Sequence, residues 1–112
     1  MTRLLALETS GPACSVAAHI DGIWFENTQN VERLHNQVLL SQLQALLREA
    51  GVAPRAIEVI AFAAGPGSFT GIRLAAAAAQ ALALASSARI VPVSSSEALA
   101  IAAYGRGLVD AQ

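Results

Sequence analysis

The chain alternates between short apolar runs and polar turns, then settles into two long stretches with helical spacing. Leu4-Leu5-Ala6-Leu7 is apolar throughout and stops at Glu8-Thr9-Ser10-Gly11-Pro12, which predicts a central strand followed by a polar turn. From Cys14 to Ile20 the pattern has period two, with Val16, Ala18 and Ile20 on one face and Ser15, Ala17 and His19 on the other. Asp21-Gly22 predicts a tight hairpin turn, and Ile23-Trp24-Phe25 opens a third strand that runs to about Asn27. A helix is expected from near Glu32 or His35 to Ala50, with Gly51 as its stop. Leu39, Leu43, Leu46, Leu47 and Ala50 form its apolar stripe, and Gln37, Ser41, Gln44 and Arg48 its polar side. Pro54 marks a loop or short turn. Val59 to Ala63 is a fourth apolar strand, followed by the glycine-rich Gly65-Pro66-Gly67-Ser68-Phe69-Thr70-Gly71. With Thr70 as N-cap, a helix follows from Gly71 or Ile72 to about Ser86. Arg89 to Val93 is a fifth strand, and Ser94 with Glu97 caps a last helix that ends near Tyr104-Gly105.

The resulting order, βββαβαβα, is a three-strand meander followed by helix and strand in alternation, which requires a sheet that is partly parallel. This is the arrangement of a ribonuclease-H-like, actin-like ATPase lobe: an α/β fold with a five-stranded mixed sheet and helices packed on it. The 112 residues fit one compact domain. One cysteine, Cys14, precludes an internal disulfide and fits a reducing, cytoplasmic setting. No signal peptide is legible, and the alanine-rich stretch, broken by Gln80, is not expected to span a membrane. The net charge of −1 gives no electrostatic footprint for nucleic acid. All seven basic residues are arginine, so any mechanism that needs a lysine is excluded.

Two regions carry candidate function. Between Ile72 and Ala85 the only polar side chains are Arg73 and Gln80, seven apart on one narrow stripe. A helix lying on a sheet ordinarily shows water a broad polar side, so this one is expected to be covered on more than one side. Either other helices of the same chain supply that cover, or a partner or second copy does. The second region is the glycine-rich loop, whose backbone N–H groups at a helix start suit an anion. The known phosphate patterns do not fit it. The P-loop needs a lysine, the dinucleotide fingerprint needs glycine where Thr70 stands, and the nucleophile elbow needs glycines where Ser68 has Pro66 and Thr70. A structural turn, a phosphate contact, or a partner contact anchored by Phe69 all remain open.

Leu7-Glu8-Thr9-Ser10, Ala13 to Ala17, the helix after His35, and above all Gly65-Pro66-Gly67-Ser68-Phe69-Thr70-Gly71-Ile72-Arg73 with its alanine-rich helix resemble the TsaB family. The last run is highly specific to that glycoprotease-like family; the strand motifs are weak alone. The family is longer, so the resemblance covers residues 1–112 as an N-terminal lobe, with the family's second lobe absent from this chain. It implies a non-catalytic scaffold role in tRNA N6-threonylcarbamoyladenosine modification, supporting the TsaD transferase together with the TsaE ATPase. It also implies that the first lobe's helices form the dimer surface, with TsaD or with another copy. The expected surface residues are Leu39, Leu43, Leu46, Phe69, Ile72, Arg73, Ala75, Ala76, Ala79, Gln80 and Ala83. A vestigial nucleotide or phosphate contact would fall on Glu8, Thr9, Ser10, Gly65, Gly67 and Ser68. The family usually has aspartate where Glu8 stands, which disfavours a working nucleotide site. No cofactor is implied beyond weak ATP or ADP contact within a complex, and neither direct nucleic-acid contact by this lobe nor a membrane is expected.

Other chemistry is thin. His19 and His35 lie on different elements, so no histidine pair offers a metal site. Cys14, in a strand core, is expected to be inert. Arg73 has Glu8, Glu32 or a partner's carboxylate as candidate partners. The competing readings are a nucleotide-binding actin-like lobe with weak ATPase activity, and a protease, for which the chain offers no nucleophile, base or metal pair.

Overall fold

A computed structural model describes residues 2–9, 11, 13–30, 35–67 and 69–94. The capped helix expected after Ser94, the strand-end Ser10 and the loop residue Ser68 lie outside the described residues. The strands are β1 (Leu4–Glu8), β2 (Ala13–Ile20), β3 (Ile23–Asn30), β4 (Val59–Ala63) and β5 (Arg89–Val93). Among the described residues the helices are α1 (His35–Ala50) and α2 (Phe69–Ser86), with a 3₁₀ turn at Pro54–Ala56. The five strands form one sheet in the order β3-β2-β1-β4-β5. β1 is antiparallel to β2 and parallel to β4, and β5 continues parallel beyond β4. This is the mixed sheet that the element order requires.

The pattern explains the sheet. In β2 every second residue, Cys14, Val16, Ala18 and Ile20, is buried. Register sets Leu5 opposite Ala18 and Ile60, and Leu7 opposite Val16 and Phe62, so one sheet face is a continuous apolar layer. The hairpin turn has positive φ at both Asp21 (51°) and Gly22 (85°), the geometry that matches strand twist. β3 runs three residues past the expected Asn27, because its later residues keep pairing with β2 up to Asn30 opposite Ala13. Pro92 stands in β5, which has one paired neighbour among the described residues, where a missing N–H is tolerated.

Both helices cover the apolar face. α1 packs over β2 and β3, and α2 over β4, β1 and β5. Leu39, Leu43, Leu46 and Leu47 of α1 are buried as the stripe predicts, and Gly51 ends the helix at φ 73°. Its N–H donates to the Arg48 carbonyl (3.2 Å) and that of Val52 to the Leu47 carbonyl (3.1 Å), which satisfies two otherwise unpaired helix-end carbonyls. α2 begins at Phe69, so Thr70 lies inside the first turn and is not the N-cap. Gly71, Ala75 and Ala79, four apart, face the sheet. α2 ends at Ser86, and the next residue, Ser87, turns the chain with a φ of 60° while its N–H donates to the Ala83 carbonyl at 2.7 Å.

By length and composition α2 is long and apolar enough to cross a membrane, contrary to what Gln80 suggested. Here it links two adjacent parallel strands and seats its smallest residues on the sheet between them, the position of a crossover helix in an α/β layer.

Candidate partner surface on the two helices

Helix geometry divides the expected surface residues into two groups. Leu39, Leu43 and Leu46 are buried in the chain's own core, as are Ala75 and Ala79 at 0% exposure. These five therefore correct the sequence expectation: their side chains meet the sheet and the facing helix. Small residues at positions 75 and 79 let the helix approach the strands closely, so they are needed inside. Ile72, Ala76 and Ala83 are half-buried, while Phe69, Arg73 and Gln80 are exposed. Phe69 is 68% exposed, and the Arg73 guanidinium lies 4.2 Å from its ring centroid, a cation–π stack that orders both side chains on the outside.

The outward stripe of α2 runs Phe69, Arg73, Ala77, Ala81 and Leu84, and all five are exposed. Leu84 reaches 88% and Leu40, on α1, 64%. Between the helices lies an open apolar groove of about 380 Å³, lined by residues that include Leu39, Leu40, Leu43, Leu74, Ala77 and Ala81. Leu40, Ala77, Ala81 and Leu84 were absent from the sequence expectation. Leu40 could have been found, because a residue next to the buried Leu39 is turned about 100° off the stripe. Ala77 and Ala81 could not, since alanine occupies nearly every direction of this helix.

The other candidate region lies at one end of the sheet. Thr9 is fully buried, and its hydroxyl donates to the Gly71 carbonyl at 2.5 Å. Glu8 is the last residue of β1, opposite Ser15. Gly65 and Gly67 both have positive φ, 115° and 157°. A Cβ at Gly65 would stand 3.1 Å from Ile72 Cδ1, so glycine there lets the loop close against the helix. Gly65 and Gly67 thus turn the chain tightly between β4 and α2. Among the described residues no three His, Cys, Asp or Glu side chains converge to hold a metal ion. His19 lies on the face away from the helices, with its ring tilted against that of Trp24 at a centroid distance of 4.7 Å.

One buried polar side chain escaped the sequence reading. Gln42, 1% exposed, donates from Nε2 to the Cys14 carbonyl (2.7 Å) and to Asn27 Oδ1 (2.8 Å), which fastens α1 to β2 and β3. Its place between Leu39 and Leu46, at helical spacing, was the available signal. Beneath it Cys14 is fully buried, and burial pushes its thiol above the ordinary range. The folded chain thus holds that proton more tightly than the unfolded chain, and stability falls as pH climbs through the thiol range. A disulfide reagent at neutral pH is expected to label Cys14 only after denaturant is added; prompt labelling of the native chain would contradict its placement.

The family model for TsaD, tRNA N6-adenosine threonylcarbamoyltransferase, matches residues 22–110. The tRNA threonylcarbamoyladenosine biosynthesis protein TsaB of Haemophilus influenzae is 38% identical over 101 residues, which cover 90% of this chain and 43% of that protein. TsaB of Escherichia coli is 36% identical over 102 residues, covering 91% of this chain and 44% of its own length. The chain thus spans under half the length of these curated relatives. The structure of YeaZ from Pseudomonas aeruginosa superposes with a TM-score of 0.88 at 45% identity, over 96% of this chain and 50% of that one. A crystal structure of an uncharacterized protein with similarity to peptidase YeaZ from Pseudomonas aeruginosa gives 0.87 at 46% identity, over 94% and 49%. These likenesses fit an actin-like lobe with the strand order found here. With most of its length matched by the family model, the chain belongs to the TsaD family, and its relatives there are the TsaB proteins of threonylcarbamoyladenosine biosynthesis.

Proposed function

We propose that this chain is a non-catalytic supporting subunit in tRNA N6-threonylcarbamoyladenosine biosynthesis, acting in the cytoplasm by docking a TsaD-type transferase on its helices. The observation that carries this reading is the exposed stripe of α2, Phe69 to Leu84, apolar except for Arg73 and flanked by Leu40 and the groove between the helices. Water-facing apolar side chains in a contiguous strip favour a second polypeptide. Without a transferase present, a second copy of the chain takes the same stripe. A TsaE-type ATPase joins the complex elsewhere, and this lobe contributes neither a cofactor nor a tRNA contact of its own.

Sedimentation velocity of the chain alone and mixed with a TsaD-family transferase tests the reading. The wild-type chain is expected to form a complex. Ala77→Arg places a charge in the middle of the stripe and is expected to weaken association at least tenfold, because an unpaired charge buried between chains costs several kcal/mol. No complex with wild type, or equal binding by the variant, would overturn the docking role. Tight, Mg-dependent ATP binding by the chain alone would favour instead a nucleotide-binding lobe with weak ATPase activity.

A further inference from the structure

We infer that Thr9 is a positioning residue for the docking stripe: from the end of β1 it holds the first turn of α2, and so the Phe69–Arg73 stack, in place. This rests on the docking role proposed above. The first turn of a helix has N–H groups with no intrahelical partner, so contacts from outside the helix do much to hold it in place. In α2 that turn also contains Gly71, and glycine weakens a helix backbone more than any residue but proline. Left to itself, such a turn frays. The buried Thr9 hydroxyl donates to the carbonyl of that same glycine, across 62 positions of sequence. Phe69 and Arg73 stand two residues to either side of Gly71, and their side chains stack on each other at 4.2 Å on the exposed side. One hydrogen bond from the sheet thereby fixes the backbone between two surface side chains. The same bond occupies the Thr9 proton, so this hydroxyl serves the interior of the domain and is not an outward donor to a phosphate.

Thr9→Val removes the hydroxyl and nearly keeps the shape; Thr9→Ser keeps the hydroxyl. Affinity for a TsaD-family transferase is expected to drop about fivefold in Thr9→Val, the effect of one typical hydrogen bond, and to return in Thr9→Ser. In a Phe69→Ala background, Thr9→Val is expected to cause little further loss, because the side chain it positions is gone. Hydrogen exchange in the isolated chain gives a readout that needs no partner: the amides of Arg73 to Ala75 exchange about fivefold faster in Thr9→Val and at the wild-type rate in Thr9→Ser. Thermal midpoints recorded alongside confirm that every variant is folded. Unchanged amide exchange in a folded Thr9→Val, or an equal loss of affinity with and without Phe69, would overturn the role of Thr9. Should Ala77→Arg leave the complex intact, it is the docking role that falls, whatever the exchange data show.

Discussion

Ala79→Arg is expected to abolish folding, while Ala81→Arg, half a turn further along, leaves the domain folded. Ala79 is 0% exposed and faces the sheet in line with Gly71 and Ala75. An arginine there must either bury its guanidinium without a partner, at several kcal/mol, or lift α2 off the strands. Domains of this size are stable by only about 5–15 kcal/mol, so either outcome removes most or all of that margin. Ala81 is exposed, and a surface change away from special features moves stability by about 0.5 kcal/mol or less. Circular dichroism melts of the two variants decide the point. A cooperative, wild-type-like melt for Ala79→Arg would mean that α2 is rotated relative to the arrangement described.

Leu46→Ala is expected to cost about 3 kcal/mol, and Leu40→Ala almost nothing. Leu46 is 1% exposed and packs on the sheet among Leu39, Leu43 and Leu47, so truncation loses the transfer energy of its methyl groups and leaves a cavity. Leu40 is 64% exposed and fills no interior space. Denaturant titrations with a common slope give both values. Equal losses from the two variants would contradict the orientation of α1.

The sheet was legible because its residues alternate or run apolar in ways only strands explain. Cys14, Val16, Ala18 and Ile20 could be assigned to one face from spacing alone, and they are buried together. α1 was legible for the same reason, since leucines at helical spacing are distinct from the glutamines and arginine opposite. α2 was not. Where alanine fills both the inward and the outward side, no periodicity distinguishes them, and the seating of the whole helix on the sheet decides which face is buried. Hence Ala75 and Ala79 were expected on a partner surface when they are core, and Ala77 and Ala81 were passed over. Gln80 was also a weaker signal than it looked: one glutamine among alanines and leucines leaves a stretch that still meets the length and composition of a span. Thr9 lay in a turn that could be read as a phosphate contact. Its acceptor is 62 residues away, and no local pattern reports a bond of that separation.

The place of β1 in the sheet has a kinetic consequence. The strand met earliest in the sequence has neighbours on both sides, β2 close by and β4 more than fifty residues later. During synthesis the β1–β2–β3 meander can assemble early, yet one flank of β1 stays open until Val59–Ala63 has emerged. Such an unfinished flank, with Leu5 and Leu7 beside it, is a template for pairing with other nascent chains. Chains stalled or cleaved before Ala63 are therefore the species from which aggregates of this protein would grow.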